Sequence, residues 1–387
     1  MELLFQTSLA IVFYTFFGYG MLLYVFVLLK RLWVPVKNAA IFYEPEISLV
    51  IPSYNEADIL EQKIKNCYAL NYPAGKCFLY FITDGSNDRS LEILSRHPHI
   101  TVLHEEKRLG KTAAENRAMQ YIKTPIVIFS DANSFLNPDA IQKMVKHFTD
   151  EKVGCVSGEK RIVLHETDNA SAAGENLYWK YESVLKKLSS DFNSAVGAVG
   201  ELVAFRSALY QSLPDDTLLD DFMQSMQMAA QGYIIRYEPE AFATETASVT
   251  VEEEFKRKKR IAVGSWQALF RLTAVVKITK TPLLFFQYFS HRILRWLFVP
   301  FLLVVIFFLN IPLMNNGAGY TWLLWLQVAF YTTALAGHTM RNKQIRFKVF
   351  FVPYYFCVMH FAVLSGLFKY LTGSQNGVWE KVSRESI

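Results

Sequence analysis

Apolar residues gather in long unbroken runs at the two ends of the chain and in short runs through its middle. From Ser8 to Leu29 there are 22 residues without a charge, and Lys30 and Arg31 follow at once. An α-helix needs about 20 apolar residues to cross the hydrocarbon of a bilayer, so this run predicts a transmembrane helix. Its length, and the basic residues that follow rather than precede it, argue for an uncleaved anchor with the N-terminus outside, not a removable signal peptide. Near the other end, Trp296 to Leu313 and Tyr320 to Gly337 predict a hairpin of two more spans, joined through Asn315, Asn316 and Gly317. Arg341, Lys343, Arg346 and Lys348 come next, and the positive-inside rule puts them in the cytoplasm, in agreement with the first helix. Val349 to Leu371 is long enough to cross again, while Pro353, His360 and Gly366 suit a broken or re-entrant segment equally. Between Pro282 and Arg295 aromatic residues alternate with His291, Arg292 and Arg295, which predicts a helix lying in the membrane interface.

The middle, from about Pro45 to Lys280, is mixed in polarity. Ile47 to Ile51, Phe78 to Thr83, Thr101 to Leu103 and Ile126 to Phe129 are short apolar runs of the kind that form buried strands. Helical spacing intervenes at Ile59, Ile64 and Leu70, near Leu91, and from Ala113 to Ile122. Alternating strand and helix predicts an α/β domain with a parallel sheet, and such sheets bind ligands beyond the carboxyl ends of their strands. Polar clusters follow the first, second and fourth strands. The predicted organisation is an anchor over 1–31, a cytoplasmic domain over 45–280, an interfacial helix over 281–295, a transmembrane region over 296–371 and a tail over 372–387.

Composition agrees with a membrane protein. The apolar share is 52%, with 31 Phe and 20 Tyr. The net charge of +5 is modest and its cations cluster beside apolar runs, so nucleic acid is not an expected partner, whereas membrane lipids are. Cys67, Cys77, Cys155 and Cys357 show no metal spacing, and three lie in the part expected to face a reducing cytoplasm. Neither a zinc site nor a disulfide framework is expected.

The polar clusters carry candidate chemistry. Pro52, Ser53, Tyr54, Asn55 and Glu56 follow the first strand, and Asp84, Gly85, Ser86, Asn87 and Asp88 the second. Asn55 and Asp84 read equally as helix caps or as ligand contacts: Tyr54 offers a face on which a base can stack, and Asp84 accepts hydrogen bonds from a base or ribose. Asp131 and Asn133, two apart after the fourth strand, could face one way and hold a divalent cation through hard oxygens, or form a turn cap before Pro138. Asp215, Asp216, Asp220 and Asp221 could be a solvated acidic helix start.

Taken together these residues resemble glycosyltransferase family 2, in the membrane-bound branch that includes cellulose, hyaluronan and poly-N-acetylglucosamine synthases and ceramide glucosyltransferases. The resemblance runs from about Ile47 to Trp266 through SLVIPSYNEADIL, ITDGSNDRS, KRLGKTAAENRAM, VIFSDANSFLNPDAI, GAVGELVAFRSALY and LLDDFMQSMQMAAQGYIIRYEPEA, in the family's order. It implies a GT-A type fold, Rossmann-like and built for a nucleotide-diphospho-sugar, with Mg2+ or Mn2+ and inversion at the anomeric carbon. By the same resemblance Pro52, Tyr54, Glu56 and Asp84 would surround the nucleoside, Asp131 and Asn133 would replace the metal-binding DxD, and Lys111 would contact the donor. Asp221, preceded by Asp220, would be the general base, with Gly200 and Glu201 in the acceptor-facing loop. Arg257, Lys258, Lys259, Arg260 and Ile261 occupy the place of QxxRW. Arg257 and Arg260 would then meet phosphate, or the cluster would bind lipid head groups. Ile261 replaces the Trp of the acceptor platform, for which Trp266 is the substitute considered. VWEKVSR near the end is similar to a tail that returns to the cytoplasm in relatives.

The reading is an inverting transfer of a sugar, from a UDP-sugar by expectation, to a lipid-linked or oligosaccharide acceptor in exported-glycan synthesis. A processive synthase is the second reading, disfavoured by the incomplete QxxRW. A third is a non-catalytic, nucleotide-binding scaffold of an export complex, which would have no need for Asp131 and Asp221 together. A homo-oligomer would supply further helices to a pore.

Overall fold

The computed structural model describes residues 1–33, 43–163, 170–246, 251–273, 279–340 and 348–373. The basic residues at 341–346 and the VWEKVSR tail lie outside them. Helix α1 (Glu2–Phe13) continues through a π-helical stretch, Tyr14–Gly18, into α2 (Tyr19–Trp33). The alternating unit then runs β1 (Ile47–Ser53), α3 (Ala57–Tyr68), β2 (Cys77–Asp84), α4 (Ser90–Ser95), β3 (Ile100–Glu105), α5 (Lys111–Met119) and β4 (Ile126–Phe129). Each predicted strand is present, lengthened by up to three residues at its ends. After these come β5 (Phe135–Leu136), α6 (Ala140–Val145), β6 (Val153–Val163), α7 (Ala170–Phe192), β7 (Val203–Arg206), α8 (Asp220–Ala230), β8 (Ile234–Thr246) and α9 (Val251–Thr273).

The eight strands of the described residues form one sheet in the order β3-β2-β1-β4-β7-β6-β8-β5. The first four are parallel; β7 joins antiparallel to β4, and β6 pairs with β7 antiparallel and with β8 in parallel. In β1, Ile47, Leu49 and Ile51 face one apolar core while Val50 faces another, and all four are fully buried. A strand covered on both faces reads as a near-continuous apolar run, which is why this half was visible in sequence. Mixed pairing on a parallel half-sheet is the GT-A type arrangement.

Among the described residues, three helical stretches are long and apolar enough to cross a membrane: Glu2–Trp33, Pro282–Asn316 and Val352–Leu371. The second joins what sequence divides. Helix α10 (Pro282–Tyr288) passes through a π-helical stretch, Phe289–Phe298, into α11 (Val299–Leu313) without a break. Ser290, His291 and Arg292 are buried there, because the Ser290 hydroxyl hydrogen-bonds the Tyr14 hydroxyl and His291 and Arg292 meet Glu182 on α7 rather than a lipid surface. Helix α12 (Ala318–Thr339) forms the expected second arm of the hairpin but is not among the three apolar stretches. Helix α13 (Lys348–Leu371) packs on α9 and α12.

Candidate active site

The turns after β1 and β2 are locked to each other. Asn55 takes a positive φ of 53°, and its amide oxygen accepts from the Asn87 N–H at 2.9 Å while its Nδ2 donates to Asn87 Oδ1 at 2.9 Å. The Asn55 N–H donates to Ser86 Oγ at 3.1 Å. Beside them Gly85 has φ +70°, and a Cβ there would come within 2.7 Å of Arg108. That close approach lets the Arg108 guanidinium lie 3.6 Å over the Tyr54 ring. One face of Tyr54 is thereby covered by a planar cation.

Asp84 ends β2, where its Oδ2 accepts from the N–H groups of Leu109 and Gly110 at 3.0 and 2.7 Å. Its other oxygen is buried and has no hydrogen bond among the described residues. Burial raises this carboxyl above its ordinary range. A carboxylate with one oxygen fixed by backbone, and the other free of hydrogen bonds with the Arg117 guanidinium 3.9 Å away, is built to accept from a ligand.

Lys111, the first residue of α5, lies at the centre of an acidic group. Its Nζ donates to Asp131 Oδ1 at 2.6 Å and stands 3.7 Å from Asp220 and 3.8 Å from Glu115. Burial works against its charge, but Asp131 and Asp220 hold it well above the usual lysine range. Asp220 and Asp221 begin α8. Burial and the neighbouring Asp220 raise the Asp221 carboxyl to about 7. Gly200 borders both groups: a Cβ there would stand 3.0 Å from Lys111 Nζ and 3.5 Å from Asp221 Oδ2.

Asp131, Glu201 and Glu245 bring carboxylate oxygens within 4.8 Å of one another. Lys160 serves as countercharge to two of them, at 2.5 Å from Glu201 and 2.7 Å from Glu245. An all-oxygen set of this kind fits a hard divalent cation such as Mg2+ or Mn2+.

These groups line one cavity of about 810 Å³. Pro52, Tyr54, Glu56, Asp84, Lys111, Asp131, Asn133, Gly200, Glu201, Asp220, Asp221, Arg257 and Arg260 all border it, so the fold gathers thirteen of the residues singled out in sequence. Trp266 is the exception. Its ring is buried in the core and its Nε1 donates to the Val363 carbonyl at 3.0 Å, since it serves to join α9 to α13. Arg257 is ion-paired with both Glu175 and Glu254. The cavity's far wall is built by Trp179, Trp296, Phe16, Phe356 and Met359, and so reaches the apolar end helices.

Several contributors were not singled out in sequence. Glu115 is buried and pushed well above the carboxylate range by burial and Asp220. Lys63, fully buried on α3, donates to Ser130 Oγ at 2.8 Å and the Ser134 carbonyl at 2.5 Å, bracing the Asp131 turn from behind. Its signal was a lysine on the apolar face of a helix. Glu182 and Lys186, four apart on α7, also border the cavity.

A mixed α/β sheet with a carboxylate-lined crevice at the ends of its parallel strands defines a GT-A type nucleotide-sugar transferase domain. Residues 48–212 match the model of glycosyl transferase family 2. It is 26% identical over 268 residues to poly-beta-1,6-N-acetyl-D-glucosamine synthase of Staphylococcus aureus, a match covering 66% of this chain and 63% of that protein. The Staphylococcus epidermidis protein of the same name is 23% identical over 288 residues, or 72% of this chain and 68% of that one. The chain thus spans just under two thirds of the S. aureus relative. Mannosyltransferase PcManGT from Pyrobaculum calidifontis, solved with GDP-Man and Mn2+, is similar in fold, with a TM-score of 0.71 at 22% identity over 96% of this chain and 100% of that one.

Proposed function

We propose that this protein transfers a glycosyl group from a nucleotide-sugar, a UDP-sugar by preference, to a hydroxyl of a lipid-linked or oligosaccharide acceptor at the cytoplasmic face of a membrane. The observation that carries this reading is the convergence of Asp84, Asp131, Lys111 and Asp221 on one cavity that reaches the apolar end helices. The nucleoside would lie against Tyr54 and Arg108, with the unused oxygen of Asp84 accepting from base or ribose. Asp131, with Asn133 and Glu201 beside it, would hold a divalent cation, which supplies countercharge to the diphosphate. Lys111 and Arg260 add positive charge on the same side. Asp221 takes the proton of the acceptor hydroxyl as that oxygen bonds to the anomeric carbon; the bond from that carbon to the diphosphate oxygen breaks, and the nucleoside diphosphate leaves with the electron pair. Attack opposite the leaving group inverts the anomeric centre. A carboxyl raised to about 7 suits a base working near neutral pH. In domain terms the reading assigns 45–280 to catalysis, with 1–31 and 296–371 holding it on the membrane.

The test is nucleotide release by the purified full chain in detergent across UDP- and GDP-sugars, with acceptor-containing membrane extract, before and after EDTA. Release with one donor, abolished by chelation and restored by Mn2+ or Mg2+, is expected. No release with any donor would favour a non-catalytic scaffold.

A further inference from the structure

Lys186 is a cation the mechanism above does not use. It is 2% exposed, borders the cavity, and makes no hydrogen bond or ion pair among the described residues; the Tyr237 ring, 5.9 Å away, is its one cation–π contact there. Burial lowers its ammonium to about 8, the mark of a charge short of partners. One turn earlier on the same face, Glu182 is ion-paired with Arg292 at 2.7 Å, Arg295 at 3.0 Å and His291 at 3.3 Å, and not with Lys186. Arg292 keeps its buried Nε without a hydrogen bond among the described residues. A buried ammonium without an ion pair and a guanidinium with a spare N–H, on one wall, ask for an anion.

The position says where the anion comes from. Helix α7 rides on the first apolar stretch: the Tyr181 hydroxyl donates to the Phe16 carbonyl at 2.7 Å, and Leu185 packs against Tyr19 and Leu23. The cavity beside Lys186 is walled by Phe16, Phe356 and Met359 from the two apolar end helices. Lys111, Asp131 and Asp220 form a separate cluster on the same cavity, and Asp221 and Glu201 are near enough to favour the Lys186 charge.

We infer that Lys186 and Arg292 form an anion subsite on the membrane side of the cavity, which holds the phosphate of a lipid-phosphate acceptor. The inference rests on the glycosyl-transfer reading and names its acceptor class. An apolar tail would lie between the end helices while the phosphate meets the two cations, and the acceptor oxygen would then face Asp221.

The experiment is titration calorimetry on the full chain in detergent with farnesyl phosphate, farnesol and inorganic phosphate, and separately with UDP and GDP plus Mn2+. Wild type should bind farnesyl phosphate at least about tenfold tighter than farnesol, the scale of a charge-assisted hydrogen bond. Lys186→Met should lose that preference without changing nucleotide affinity or lowering Tm, because it removes a charge that lacks a partner; Lys186→Gln repeats the measurement should the Met variant not fold. An unchanged preference in both variants overturns the inference. So does displacement of farnesyl phosphate by inorganic phosphate at similar concentration, which marks a free-anion site, or a loss confined to UDP and GDP, which marks a donor contact. Nucleotide binding by wild type is read in its own arm, so failure of the transfer reading is seen separately from failure of the subsite.

Discussion

The two ends of the cavity are mirror images in charge. At the donor end one cation, Lys111, stands among Asp131, Asp220 and Glu115; at the membrane end one anion, Glu182, stands among Arg292, Arg295 and His291. Burial pushes Glu115, Asp131, Asp221 and Glu182 upward, so the partners decide the outcome. With too few cations, Glu115 is raised well above the carboxylate range and Asp221 to about 7. With cations in excess, Glu182 is held well below the carboxylate range and stays charged. In the proposed reading the same residue types therefore serve proton transfer and metal binding in one cluster and an anion-seeking wall in the other.

The largest way to break this contrast is at the membrane end. Glu182→Gln leaves Arg292 and Arg295 without their shared anion and should cost about 3–5 kcal/mol of stability, read by thermal or denaturant unfolding in detergent. Lys111→Met acts on the other end and on another observable. It should lower turnover by about 10²–10³ while the protein stays folded, the scale of losing one preorganised charge at a developing anion. Gly200→Ala is milder. The new methyl meets the flexible end of Lys111 rather than backbone, so turnover should fall about tenfold with little change in Tm. Smallest is a shift in pH dependence. Turnover should rise as pH goes up through about 7, because Asp221 must be deprotonated to accept the proton. Asp220→Asn removes the neighbouring charge that raises Asp221 and should move this limb to lower pH; an unmoved limb would uncouple the two acids.

The donor end was legible in sequence because its residues sit at strand ends, where local order fixes position. Asp84, Asp131 and the Asn55 turn each follow an apolar run, and a parallel sheet brings such ends together. The membrane end was not. His291, Arg292 and Arg295 alternate with aromatics as an interfacial helix does, and nothing local says that they turn inward to Glu182, more than a hundred residues earlier in the chain. Lys186 and Glu115 look like ordinary charges on amphipathic helices until the fold buries them. The later strands β6 and β8 were hard to read for a related reason: Glu159, Lys160 and Arg161, and Arg236, Glu238 and Glu240, interrupt their apolar alternation with charges that pair across the sheet or with neighbouring helices. Trp266 shows the converse error, since proximity in sequence to a missing platform residue does not put a ring in the cavity.

The most direct test compares Asp221→Asn with wild type for donor turnover and for nucleotide affinity in the same preparation. The account predicts turnover lower by about 10²–10⁴, the range for a positioned general base, with nucleotide affinity within about twofold of wild type. Turnover that survives the substitution, or a loss of turnover explained wholly by lost nucleotide binding, would contradict Asp221 as the base and with it the assignment of proton transfer to the acid-rich end.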